Sequence, residues 1–207
     1  QSALVGVLCA VVASLLLSLV FAYFVLKLKS DLILTGIALN LMASGGTVFL
    51  LSVICGDKGV STSMASKVVP SVEIPLIKDI PILGEILSGH NVLTYVALLS
   101  VVVVYVLVNK SPLGLRIRSV GENPDAAESV GISVVKTRFI ALMITGILSG
   151  LGGAFMSMGY VSWFARDMAA GRGYIALAAQ NLGNATPIGT CLASFLFGIA
   201  DALSSSL

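Results

Sequence analysis

Five apolar runs decide what this chain can fold into. They occupy residues 3–26, 32–54, 92–108, 139–164 and 175–203. A helix needs about 20 consecutive apolar residues to cross a bilayer. The first four runs are unbroken, although 92–108 is a little short, and the fifth is long enough but interrupted. Because the runs are continuous rather than alternating, a closed β-barrel is excluded, and helices remain as the way to satisfy the backbone in lipid. Only 11% of the 207 residues are charged, against about 25% in soluble domains. The sequence therefore predicts an all-α integral membrane protein: a polytopic helical bundle of about five hydrophobic segments, one of them broken or re-entrant, in a single transmembrane domain over residues 1–207. The net charge of +2 gives no argument for a nucleic-acid partner.

Lysine and arginine set the orientation. Lys27 and Lys29 follow the first run, and Lys110, Arg116, Arg118, Lys136 and Arg138 fall between the third and fourth. If every run crosses once, these groups share a side, which the positive-inside rule makes cytoplasmic. Residues 56–91 and the connection 166–173 then face outward. Within the former, Leu76, Ile77, Ile80, Leu83, Ile86 and Leu87 recur at helical spacing. That pattern suits helices lying in the interface over the outer mouth, or an ordinary packed loop.

The cytoplasmic island at 110–138 is unlike a featureless turn. Asn123 is a good N-cap, Pro124 suits the first helical position, and Asp125 complements the positive end of the dipole. Gly131 can adopt the left-handed conformation that ends a helix. Only about two turns fit between these signals, and so short a helix is marginal by itself in water. The expectation is that something outside the membrane holds it, through a small, smooth face of Ala126, Ala127 and Val130.

Three further patterns stand out inside the runs. Asn40, Ser44 and Thr47 share one face of the second, and Gly36 extends it by a turn; the stripe either lines a solute path or makes interhelical hydrogen bonds. In the fourth, Gly146 and Gly150 form a GxxxG whose spacing Ser149 and Gly153 repeat, which predicts close helix packing. In the fifth, Gln180, Asn181, Asn184, Thr186 and Pro187 interrupt apolar sequence. Irregular backbone at membrane depth requires protein or a water-filled cavity around it. The break is therefore either a discontinuous helix at the solute path or a short re-entrant or interfacial piece, with the true crossing starting near Ile188.

The chain holds no G-x-x-x-x-G-K-[ST] phosphate loop, so it does not cradle ATP itself. No cofactor-binding or metal-ligand pattern is present. Its single histidine, His90, lies at a run boundary and is badly placed to pair with Ser44 or Ser149 as a protease base. Cys9, Cys55 and Cys191 read as buried, inert thiols. Two readings remain from the residues: a transporter, or a membrane scaffold docking a partner through its capped loop. An ion-coupled carrier would want an ionisable group in the membrane, and only Asp201 comes near.

The segments GLRIRSVGENPDAAESVGISVVKTRFIALMITGILSGLGGAFMSMGY, DLILTGIALNLMASGGTVFLL, IPLIKDIPILGEIL, MAAGRGYIALAA and LFGIADAL resemble the permease subunits of bacterial ABC importers in the branched-chain amino acid, ribose and nucleoside group, nearest to the nucleoside-type permeases. The resemblance covers most of the chain from Asp31 onward. It implies a cell-membrane subunit whose loop 110–138 is the cytoplasmic coupling loop, with Gly121, Glu122, Asn123, Pro124, Asp125, Ala126, Ala127, Glu128 and Gly131 contacting a separate ATP-binding subunit and Arg116 and Arg118 flanking. ATP and Mg would be bound by that subunit. The other implied partners are a second permease subunit and an extracytoplasmic substrate-binding protein, besides membrane lipid. The solute would be a nucleoside, or a sugar or branched-chain amino acid in the same group. Asn40, Ser44, Thr47, Gln180 and Asn181 are the candidate solute path, and Gly146, Gly150 and Gly153 the packing face. Members of the group are longer, which implies truncation at both ends. QNLGNATPIG is more polar than the corresponding segment of that branch.

Overall fold

The computed structural model describes residues 3–56, 59–61, 89–160 and 163–206. The interfacial helices expected from 76–87 lie outside the described residues. The elements are α1 (Ala3–Ala22), α2 (Leu32–Cys55), α3 (Val92–Lys110), α4 (Pro112–Glu122), α5 (Pro124–Ser129), α6 (Val134–Phe155), α7 (Arg172–Leu182) and α8 (Pro187–Ser206). Single π-helical turns extend α1 over Tyr23–Lys27 and α6 over Met156–Tyr160. Among the described residues, five helices are long and apolar enough to cross a membrane: Ala3–Lys27, Leu32–Ile54, Val92–Lys110, Val134–Gly159 and Pro187–Ser206. The polytopic all-α fold is as expected. The chain divides into two compact units, Gln1–Val96 with Arg116–Met168, and Ala97–Leu115 with Ala169–Leu207.

The first unit is built on an antiparallel pair, α1 against α6. Gly6 faces Met158, Val11 faces Gly150, and Ser18 faces Gly146. A Cβ at Gly146 would lie 2.8 Å from the Ser18 Cβ, and one at Gly150 2.8 Å from the Val11 Cα. These separations leave no room for a side chain. The backbones are close enough for Ser14 Oγ to donate to the Gly146 carbonyl at 2.8 Å and Ser18 Oγ to the Leu142 carbonyl at 2.7 Å. The seam continues to Ala154, 1% exposed, which packs with Leu93, Val7, Ala10 and Phe155.

The choice of row corrects one expectation. Gly153 is exposed, with nothing within 4 Å of its would-be Cβ, and the third position of the contact is Ala154. Ser149/Gly153 has the same spacing but lies a helical step to one side.

At one end of this unit, residues 59–61 meet residues 164–166. Val60 and Ala165 form an antiparallel bridge, with Ser61 N–H donating to the Phe164 carbonyl at 2.9 Å and Arg166 N–H to the Gly59 carbonyl at 2.8 Å. The segments following α2 and α6 are thus joined on one side of the membrane, as the charge-based orientation requires. The turn between α1 and α2 is closed by Asp31, whose carboxylate accepts from the Ile33 and Leu34 amides, both at 2.9 Å.

In the second unit, α7 packs against α8. The run 175–203 is therefore not one crossing. At 11 residues, α7 rises about 16 Å, half of what a bilayer needs; the crossing is Pro187–Ser206. The polar residues between them build the turn. Ala185 N–H donates to the Gln180 carbonyl and Gly183 N–H to that of Ala179, both at 2.9 Å. Asn184 (φ 52°) and Ala185 (φ 54°) take left-handed conformations. Asparagine tolerates this geometry, whereas alanine is strained by about 1–2 kcal/mol. Thr186 Oγ1 accepts from the Gly189 amide at 3.2 Å and so starts α8, with Pro187 in the first position.

The cysteines correct the buried reading. Cys9 is exposed on α1 and Cys191 is half-buried.

Two stability outcomes follow. Gly150→Leu should cost about 1–3 kcal/mol or prevent folding, as overpacking does, whereas Gly153→Leu should leave the melting temperature of the detergent-solubilised protein near wild type. Ala185→Gly should raise stability by about 1 kcal/mol by relieving the strained φ, read in the same thermal unfolding assay.

Candidate functional site: the capped cytoplasmic loop and the polar helix faces

The loop between α3 and α6 is helical over most of its length. Ser111 opens α4: its Oγ accepts from the Gly114 amide at 3.1 Å while donating to the Leu107 carbonyl at 2.6 Å. Pro112 sits in the first position, where its missing N–H costs nothing. Val120 is buried and Leu113 and Ile117 are half-buried, which gives α4 an inward stripe, while Arg116 and Arg118 lie exposed. Sequence reasoning treated these arginines only as flanks and missed the helix. The signal was present as Ser-Pro followed by apolar residues at i, i+4 and i+7.

Asn123 caps α5. Its backbone is extended (φ −149°) and its Oδ1 accepts from the Ala126 amide at 3.1 Å. Pro124 and Asp125 occupy the first turn. The helix ends where Gly131, at φ 84°, donates to the Glu128 carbonyl at 2.9 Å, and Ile132 N–H reaches the Ala127 carbonyl at 3.0 Å. The glycine is required there because a side chain at that φ is strained.

The face available to a partner differs from the expected one. Ala127 is 3% exposed, on a helix that packs against α6. It secures α5 to its own chain, so α5 does not depend on an outside partner to hold it. The outward surface comprises Gly121, Glu122, Asn123, Asp125, Ala126, Glu128, Val130 and Gly131, with Pro124 half-buried. Val130 is 74% exposed, an apolar side chain in a polar, cytoplasm-side setting. Ala126 and Val130 thus remain on the outer face and Ala127 leaves it.

The polar residues inside the spans are distributed between the units. Asn40, Ser44 and Thr47 are exposed along α2, and Thr47 Oγ1 satisfies itself on the Ser44 carbonyl at 2.9 Å. Gly36, half-buried, continues their face. Gln180 and Asn181 are exposed on α7 in the second unit, and their carbonyls close the turn before α8. Asn40 carries an amide at membrane depth on an uncovered face, a placement that calls for a water-filled cavity or another helix. Gly146 and Gly150 lie in the α1–α6 seam described above. His90 is exposed at the start of α3. Among the described residues no group of three His, Cys, Asp or Glu side chains could hold a metal.

Ala127→Arg should break the α5–α6 contact and lower the yield of folded protein, whereas Val130→Arg should leave yield and melting temperature unchanged. Size-exclusion profiles of the two variants check this.

A family model described as branched-chain amino acid transport system / permease component matches residues 1–207. Among curated proteins, the chain is 36% identical over 202 residues to the guanosine ABC transporter permease protein NupQ of Bacillus subtilis, covering 96% of this chain and 62% of the relative. It is 35% identical over 190 residues to the nucleoside ABC transporter permease protein NupC of Lactococcus lactis, covering 91% and 59%. It is 32% identical over 203 residues to the putative glucose ABC transporter permease protein TsgC13 of Haloferax volcanii, covering 96% and 58%. The chain thus spans about six tenths of the length of these relatives. No solved structure matches it.

Proposed function

We propose, because this chain belongs to the branched-chain amino acid transport system / permease component family, that it forms the membrane path of an ATP-driven importer for nucleosides. The observation that carries this reading is the capped loop at 110–138. It is a rigid, locally satisfied device that presents Val130 and Ala126 outward on the side marked by the positive charges. A separate ATP-binding subunit docks there, holds ATP and Mg, and hydrolyses the nucleotide. This chain contributes no catalytic group. Its α5, anchored to α6 through Ala127, passes the subunit's movement into the spanning helices. The α1–α6 seam makes that pair move as one body.

The solute side rests on Asn40, Ser44 and Thr47 of α2 and on Gln180 and Asn181 of α7. Hydroxyl and amide groups suit a neutral, many-hydroxyl solute, and no fixed charge is needed. A nucleoside is favoured because the guanosine and nucleoside permeases lie among the more similar relatives. A second permease subunit completes the path, and an extracytoplasmic binding protein delivers solute to the outer face. The relatives include further nucleoside-system permeases, NupB of Lactococcus lactis and NupP of Bacillus subtilis, with shorter matches to this chain. They favour a pair of non-identical permeases, and the family match over residues 1–207 favours a single permease domain.

The test is uptake of labelled guanosine by cells carrying the full-length permease with its partners. Unlabelled nucleosides should compete, and glucose and branched-chain amino acids should not; competition by glucose alone would replace the solute assignment. Val130→Arg should abolish co-purification of the ATP-binding subunit and reduce uptake at least tenfold with the permease still folded. Asn40→Leu should reduce uptake while retaining the ATP-binding subunit; unchanged uptake would place Asn40 in a helix contact. Uptake that collapses with a protonophore at constant ATP would point to an ion-coupled carrier instead.

A further inference from the structure

We propose that a cavity in the second unit, between the end of α3 and the start of α8, holds the head group of an anionic phospholipid. The cavity has a volume of about 360 Å³ and is lined by Tyr105, Asn109, Lys110, Thr186, Pro187 and Ile188. That is within the range of ligand pockets, about 300–1,000 Å³. Nothing in the proposed transport cycle uses it.

Its depth points to lipid. From Val92 to Lys110, α3 has 19 residues, a rise of about 28 Å, close to the hydrocarbon thickness of about 30 Å. Lys110 therefore stands at the head-group level. The bias of basic residues makes that level the cytoplasmic leaflet, where anionic lipids attract basic side chains. Tyr105 lies five residues earlier, about 7.5 Å deeper along the helix axis. With Pro187 and Ile188 its ring forms an apolar wall at the depth of the glycerol and the first acyl carbons, and aromatic rings are favoured at this boundary. The site is thus graded along the membrane normal as a lipid is.

Charge selects the class. Lys110 is the only one of the six residues charged at neutral pH, and it has no carboxylate partner among the described residues. Its ammonium is a compact point charge that pairs with phosphate. A zwitterionic head group brings its own cation beside the phosphate and would set it near Lys110. A net-negative head group, as in phosphatidylglycerol, avoids that repulsion. The Thr186 hydroxyl oxygen, which already donates once and accepts once, keeps a lone pair to accept from a glycerol hydroxyl. The wall it belongs to is firm, since Thr186 caps α8 through Gly189 and also donates to the Gly183 carbonyl at 2.8 Å.

The experiment is thermal unfolding of the full-length permease in detergent micelles titrated with phosphatidylglycerol, phosphatidylcholine or inorganic phosphate. Phosphatidylglycerol should raise the melting temperature saturably, with no matching rise from the other two. Lys110→Gln should weaken the apparent phosphatidylglycerol affinity about fivefold, the effect of one lysine near a charged membrane surface, while Lys29→Gln should retain it. Equal stabilisation by phosphatidylcholine, or an unchanged affinity in Lys110→Gln, overturns the proposal. Stabilisation by phosphate alone assigns the cavity to a free anion and overturns the lipid. If Lys110→Gln does not fold, native mass spectrometry of the wild type decides. Phosphatidylglycerol adducts should survive activation that strips phosphatidylcholine, and equal retention overturns the assignment. None of these readouts depends on which solute is carried.

Discussion

Two helices lying backbone to backbone in lipid are the arrangement on which the first unit depends. Burial of apolar surface does not draw spans together in a bilayer, since the tails are as apolar as the side chains; packing and interhelical hydrogen bonds must do it. Gly146 and Gly150 remove the side chains that would hold α6 away from α1, and Ser14 and Ser18 exploit the approach by donating to α6 carbonyls. Each such bond contributes only about 0.6 kcal/mol on average. The contact gains strength from extent, because it runs from Gly6 beside Met158 to Ser18 beside Leu142. It also sets geometry: the antiparallel register brings the Lys27 end of α1 to the Arg138 end of α6, so the basic residues cluster at one end.

The cytoplasmic loop uses that framework. A short helix does not keep its shape through propensity. Here Asn123 satisfies an amide at one end, Gly131 turns the chain at the other, and Ala127 buries against the chain itself. The result is a small helix that is already formed before anything binds it. In the proposed coupling role, a pre-formed element would lose little conformational entropy on docking, and its contact with α6 would pass displacement to the spans. With Ala127 inward, the exposed face of α5 consists of Ala126, Val130 and the acidic residues around them.

Much of this was legible in the residues. Run lengths identified the spans, and Asn123, Pro124 and Gly131 delimited α5 as the structure has it. Two features were read differently. The helix α4 was not expected, because Arg116 and Arg118 interrupt its apolar stripe of Leu113, Ile117 and Val120 along the sequence. The third packing position was assigned to Gly153 when Ala154 fills it. The polar break near Gln180 left two readings open, and the structure has the second: a short piece ending at Leu182 before a crossing that starts at Pro187, with Asn184 and Thr186 serving the turn between them.

The sequence by itself determined that the chain is membrane-spanning and helical, where its long apolar helices run, and how the short helix α5 is capped. Those properties depend on composition along one dimension and on caps that act within three or four residues. Only the tertiary structure decided which small residues of α6 meet α1, that Ala127 turns inward, that α7 stops halfway and folds against α8, and that Lys110 shares a cavity with Thr186 and Ile188. Two rows of small residues with equal spacing are equivalent until a second helix supplies Val11 and Ser14 opposite one of them. Facing is a property of pairs, and residues more than a hundred positions apart cannot declare it locally.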